Sequence, residues 1–182
     1  DAVKLGIVSA VVTGNQTEIL KQCDIFHVDH NLFQIVDAGS EEEAARLAVQ
    51  WVVQHPGCIL MKGLISSDKY MRAILNKEAG LLPTGGVLSH VSVIDNPNYH
   101  KLLIVSDVAI IPYPSIPQKI AMTHYLKQMA LDLGISRPKI ALITPTEQVL
   151  PSLVSCTDAV EVMKAAENGQ FEPAVVFGPM AL

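Results

Sequence analysis

Charge is scarce in this chain: 17% of its 182 residues are Asp, Glu, Lys or Arg, against roughly 25% in an average soluble domain. The shortfall points to strands buried on both faces, to an oligomer interface, or to both. Long apolar runs are missing too. None approaches the roughly 18 residues that span a bilayer, and Asp1-Ala2-Val3-Lys4 has no signal-peptide layout. These absences predict a soluble, cytoplasmic protein with no membrane partner. The three cysteines, Cys23, Cys58 and Cys156, lie far apart with no C-x-x-C spacing, so neither a disulfide framework nor a zinc cage is indicated. Lys and Arg number 13 against 18 Asp and Glu, giving a net charge of -5, and the cations are scattered singly. That leaves no electrostatic footprint for nucleic acid. Neither a Walker loop nor a G-x-G-x-x-G fingerprint occurs, which argues against a nucleotide hydrolase or a standard dinucleotide enzyme. A Ser-His-Asp triad would lack its G-x-S-x-G elbow. His27-Val28-Asp29-His30 offers metal-type ligands without a third or fourth at fitting spacing, so no metal is assigned.

What is abundant is apolar: 49% of the residues are hydrophobic. They are organised as short runs that turn polar at their carboxyl ends. Cys58-Ile59-Leu60-Met61 reads as a buried strand closing on Lys62-Gly63, and Val87-Leu88 leads to Ser89-His90. Leu103-Ile104-Val105 leads to Ser106-Asp107, and Ile140-Ala141-Leu142-Ile143 leads to Thr144. Ligands of open α/β sheets collect beyond such strand ends, so four of them are expected to converge on one cleft.

Further runs complete an α/β pattern. Strands are predicted over 5–12 and 32–36, with a weakly patterned helix from about Thr17 between them. Ser40 and Glu43 have capping-box spacing, and Ala44, Ala45, Leu47, Ala48, Trp51 and Val52 follow at helical period. A helix is predicted over 67–78, with Gly80 beyond its end. Val87–Asp95 and Lys101–Val105 read as an antiparallel hairpin. This departure from βαβ repetition sets the expected lobes at 1–100 and 101–182. The proline-dense Ile110–Pro117 is an extended loop, and Ser115 with Gln118 caps a long helix ending at Gly134. A strand over 139–143 precedes Thr144-Pro145-Thr146-Glu147, whose composition predicts a helix start. Thr157 caps a last helix over 158–167, and Ala174–Phe177 reads as a core strand. The chain begins without Met, and Gly178–Leu182 stops where a turn should lead into another helix. The expectation is the middle of a longer polypeptide.

The candidate chemistry lies after the Cys58 run. Lys62 and Gly63 suit close approach of a phosphate or carboxylate; Ser66 and Ser67 add hydroxyl and helix N-terminal amide donors, and Arg72 adds a forked donor. The alternative is that Ser67 merely caps, Asp68 complements the helix dipole and both cations are solvated. Ser89 and His90 are adjacent on a predicted strand, so only one side chain can face the cleft. Asp107 is a strand-end carboxylate or a cap. From the residues alone, the reading stops at an α/β enzyme that binds an anion.

Taken in order, Leu60-Met61-Lys62-Gly63, Leu88-Ser89-His90-Val91, Ser106-Asp107-Val108-Ala109-Ile110, Gly134-Ile135-Ser136-Arg137-Pro138-Lys139-Ile140-Ala141, Glu147-Gln148-Val149 and Gly178-Pro179-Met180-Ala181-Leu182 form a set that resembles the phosphate acetyl/butyryltransferase family, phosphate butyryltransferases in particular. The resemblance covers nearly the whole chain. It implies a two-lobed αβα sandwich related to the isocitrate/isopropylmalate dehydrogenase-like fold, incomplete here at both ends, in a cytoplasmic homodimer. It implies direct acyl transfer between coenzyme A and phosphate in a cleft between the lobes. Acyl-CoA and phosphate are then the partners, coenzyme A is substrate rather than cofactor, and no metal takes part.

On the same ground Lys62, Gly63, Ser66, Ser67, Arg72, Ser89 and Asp107 are expected to bind substrate, with Arg72 the best match to a family arginine. No residue is assigned as catalytic. The family's Thr-Ser-Arg-x-Asp stretch, which carries its principal phosphate-binding and catalytic groups, has no counterpart in this chain, and neither has the opening strand of the first lobe. Ser66-Ser67 stands where the family usually has Thr, His124 where it has Asn, and Ile111-Pro112-Tyr113-Pro114 where it has less proline. Two other readings are a non-catalytic coenzyme A or phosphate-binding or assembly module, and another acyl-transferring or dehydrogenase-like enzyme of the same fold.

Overall fold

The computed structural model describes residues 1–181. Its chain divides into two compact units, Asp1–Gly86 and Val87–Leu182, so the hairpin expected to straddle residue 100 lies wholly within the second. Both units mix helices with two-stranded sheets.

The first unit opens with a parallel βαβ turn. Strand β1 (Ala10–Gly14) pairs with β2 (Phe33–Asp37), Ala10 opposite Phe33 and Gly14 opposite Asp37. Helix α1 (Gln16–Ile25) starts where Asn15 Oδ1 accepts the Glu18 amide at 3.0 Å, and Asp37 reaches across from the end of β2 to accept the Gln16 amide at 2.8 Å. Helix α2 (Glu41–Gln54) buries Ala45 and Val49, and Thr13 Oγ1 of β1 donates to its Ala44 carbonyl at 2.9 Å. Its capping box is displaced by one residue: Ser40 Oγ accepts the Glu43 amide, but the Glu43 carboxylate returns to the amide of Gly39. Helix α3 (Ser67–Ile74) packs against α2, and Lys69 Nζ lies 2.9 Å from carboxylates of both Glu41 and Glu42.

In the second unit the hairpin pairs β3 (Ser92–Ile94) with β4 (Leu103–Val105), Val93 opposite Ile104. Helix α4 (Ile116–Asp132) has the expected cap, with the Ser115 amide donating to Gln118 Oε1 at 2.8 Å, and it ends before Gly134, which takes the left-handed φ of 82°. Strand β5 (Lys139–Ile143), helix α5 (Val154–Glu167) and strand β6 (Val175–Met180) form a second parallel βαβ element. The core lies here: Val162 and Phe171 are sealed from solvent and pack with Ile140, Ala165 and Val176. Cys156 is equally buried. Lys119 of α4 and Asp158 of α5 form a mostly shielded ion pair at 2.7 Å. Strands β5 and β6 run so close at Gly178 that a Cβ there would stand 2.6 Å from the Leu142 Cβ.

Several expected elements are corrected. The Cys58–Met61 strand does not form: the segment is irregular, and Ile59 and Met61 are 84% and 86% exposed. Among the described residues no strand pairs with it. Its backbone is held by a Cys58 amide bond to the His55 carbonyl and by the Tyr70 hydroxyl, which donates to the Leu60 carbonyl at 3.4 Å. The first strand begins at Ala10 rather than Leu5, and 87–90 lies outside the hairpin ladder. Helix α3 stops at Ile74 because Asn76 Oδ1 captures the amides of Glu78 and Ala79, a local bond that competes with helix continuation. No helix starts at Thr144. Its amide and hydroxyl bond the Met180 carbonyl, and the hydroxyl also donates to Thr146, which ties it to β6. Thr157 is inside α5, not its cap: a turn over Leu150–Leu153 starts that helix at Val154, and Thr157 Oγ1 donates to the Val154 carbonyl.

Candidate functional site

The predicted site residues fall into two groups, one in each unit. In the first, Lys62, Gly63, Ser66 and Ser67 are all exposed. The space a Cβ would take at Gly63 is open. Ser66, rather than Ser67, is the cap of α3; its hydroxyl accepts the Lys69 amide at a long 3.4 Å. The helix start therefore faces solvent with hydroxyls and free amide donors, four residues after the exposed Lys62 in the chain, a combination suited to an anion.

Arg72 is not idle. Its guanidinium grips both carboxylate oxygens of Asp68 one turn earlier, with the two side chains 75% and 65% exposed. An exposed pair of this kind is worth only about 0–1 kcal/mol, so an incoming anion can displace Asp68 at small cost. Lys69, by contrast, is committed to α2. Its hydrogen bonds to Glu41 and Glu42 push its pKa up, and the same bond from Lys69 lowers that of Glu42.

The second group is organised by Asp107. Its Oδ2 accepts from Ser89 Oγ at 2.8 Å and from the His90 amide at 3.0 Å; its Oδ1 accepts the amides of Ala109 and Ile110, both at 2.7 Å. Burial works against the charge on this carboxylate, but the amides of Ile110, Ala109 and His90 and the Ser89 hydroxyl outweigh it and hold the carboxyl far below the usual range. Such a group stays ionised and makes a poor proton acceptor. Ser89 and His90 lie outside the ladder, and their side chains have different partners: Ser89 bonds Asp107, whereas the His90 ring stands by Ser92 Oγ, 3.3 Å from its Nδ1, although the His90 backbone shares the carboxylate.

Ser106, 3.1 Å from Ser89 Oγ, was not among the expected binding residues. The signal was present in its position directly after the apolar Leu103–Val105 run, but the adjacent carboxylate drew the assignment. Asp29 of the His27–His30 cluster is spent locally, accepting from both the amide and the side chain of Asn31.

The sequence model for phosphate acetyl/butaryl transferase matches residues 58–182. The chain belongs to that family. The phosphate acetyl/butaryl transferase match takes in both candidate groups, Lys62 to Arg72 and Ser89 to Asp107, and starts after α2. The whole chain is 36% identical to phosphate butyryltransferase of Clostridium acetobutylicum and 33% identical to that of Clostridium beijerinckii. It spans about 60% of the length of each of these relatives. A crystal structure of a branched-chain phosphotransacylase from Enterococcus faecalis V583 superposes with a TM-score of 0.73 at 28% identity, over 96% of this chain and 69% of that one. The mixed α/β architecture is thus similar to that of a phosphotransacylase.

Proposed function

We propose that this protein, in its intact form, converts a short-chain acyl-CoA and inorganic phosphate to an acyl phosphate and free coenzyme A, with butyryl-CoA as the favoured acyl donor. The observation that carries this reading is the likeness to clostridial phosphate butyryltransferases along the entire chain. The local chemistry supports it. Lys62 and the α3 start offer charge and donors to phosphate, and Arg72 can exchange Asp68 for a phosphate oxygen, so that this reactant is held for direct transfer. The same reading implies an isocitrate/isopropylmalate dehydrogenase-like fold and a cytoplasmic homodimer. Coenzyme A acts there as substrate, without metal, membrane or nucleic-acid partners. No catalytic base is assigned among these residues.

The test is to incubate the intact protein with butyryl-CoA and phosphate and follow free thiol. The expected result is phosphate-dependent release, faster with butyryl-CoA than with acetyl-CoA. No phosphate-dependent thiol would sink the reading, and faster release from acetyl-CoA would overturn the acyl preference alone.

A further inference from the structure

The hydroxyls beside Asp107 have a determined direction. An ionised carboxylate can only accept, so the single proton of Ser89 is committed to Asp107 Oδ2, 2.8 Å away. The Ser106 and Ser89 oxygens stand 3.1 Å apart, and the proton between them must then come from Ser106. The chain of bonds runs Ser106 to Ser89 to Asp107. The carboxylate itself already has four donors, Ser89 Oγ and the amides of His90, Ala109 and Ile110, which fills its usual complement. What remains open at this half-buried corner is the pair of lone pairs on Ser106, made more negative by the hydroxyl and carboxylate behind it.

We propose that Ser106 is a substrate-contacting residue of the second unit, held as a hydrogen-bond acceptor for a neutral donor on the acyl carrier, with Ser89 and Asp107 as positioning residues behind it. The proposal rests on the phosphate acyltransferase reading above. A phosphate dianion brought to Ser106 would meet lone pairs backed by a fixed negative charge. The arm of coenzyme A instead offers a thiol S–H and amide N–H groups, which are uncharged donors and match an acceptor. Phosphate then belongs with the cations of the first unit, and the acyl carrier with this corner.

The experiment uses the full-length protein with Ser106→Ala and Ser106→Thr, each checked by thermal melting and titrated with coenzyme A, butyryl-CoA and inorganic phosphate, affinities being expressed per folded molecule. Ser106→Ala is expected to weaken coenzyme A by about tenfold, the worth of one hydrogen bond to a polar partner, while phosphate changes by less than about twofold. Ser106→Thr, which keeps the hydroxyl, restores coenzyme A binding. An equal loss for butyryl-CoA identifies an amide donor, and a loss confined to free coenzyme A identifies the thiol; either supports the proposal. A loss for phosphate alone, a matched loss for both ligands, or no loss at all overturns it. Wild-type protein that releases no phosphate-dependent thiol overturns the underlying reading, whereas an active wild type with an indifferent Ser106→Ala overturns only the role of Ser106.

Discussion

Arg72 and Asp107 are both charged side chains with partners, yet their partners make opposite demands. The Arg72–Asp68 grip is exposed and cheap to break, so Arg72→Ala should change stability by less than about 1 kcal/mol. On the proposed acyltransferase reading, Arg72→Ala should lower kcat/KM of the intact protein by at least about tenfold, and steady-state kinetics beside urea denaturation separates the two effects. Asp107 is bound inward and its folded carboxyl titrates well below the ordinary value of 3.8. The unfolded chain therefore takes up its proton first, and the stability Asp107 contributes is present above about pH 3.8 and lost as pH falls through the folded value. His124, its ring 4.8 Å from that of Phe171, is pushed below 6.5 by burial and, secondarily, by Lys127. Its contribution is complete above 6.5 and declines as pH drops below that value. Melting temperature measured against pH should thus fall in two stages on acidification, and His124→Asn should remove the upper one. The residue types of the site were legible in sequence. Of their pairings, Asp68 with Arg72 has the four-residue spacing of a helical ion pair and was open to reading, whereas nothing in Ser106-Asp107 announces where the carboxylate points.

Helices with a strong cap and a clear period, α2 and α4, were readable almost to the residue, since both signals are local. Three of the failures share a physical origin. Asn76, Thr144 and the Leu150–Leu153 turn are places where a side chain or backbone group satisfies itself nearby and redirects the chain. A Thr-Pro-Thr-Glu run therefore looked like a helix start when its threonine was already engaged with β6. Cys58–Met61 failed differently: its apolar composition is strand-like, but a strand also needs a neighbour for its amides. Between elements, the Lys119–Asp158 pair joins α4 to α5 with both side chains mostly shielded. Lys119→Met leaves Asp158 charged, partly desolvated and unpaired, and should cost about 2 kcal/mol in a denaturant titration. Adding Asp158→Leu should return part of that loss, because an apolar pair at a shielded position can replace an ionic one.

Across the molecule, the two units hide their apolar surface unequally. The second holds the sealed cluster around Val162 and Phe171, whereas the first buries little beyond Cys23, Ala38, Ala45 and Val49 and leaves Leu5, Ile7, Phe26, Ile59, Met61 and Leu64 largely open. The α/β class and the order of most elements followed from the apolar runs alone. The boundary between the units did not, because a hairpin has the same pattern whichever side of a boundary it falls on. The close passage of β5 and β6 carries a consequence for how such a sequence can change over time. The nearest atom to a side chain at 178 is the Leu142 Cβ, 2.6 Å from where a new Cβ would stand, and any residue but glycine at 142 carries that atom. Trimming Leu142 therefore does not make room, so across descendants of this chain 178 should stay glycine while 142 remains free to change among apolar residues.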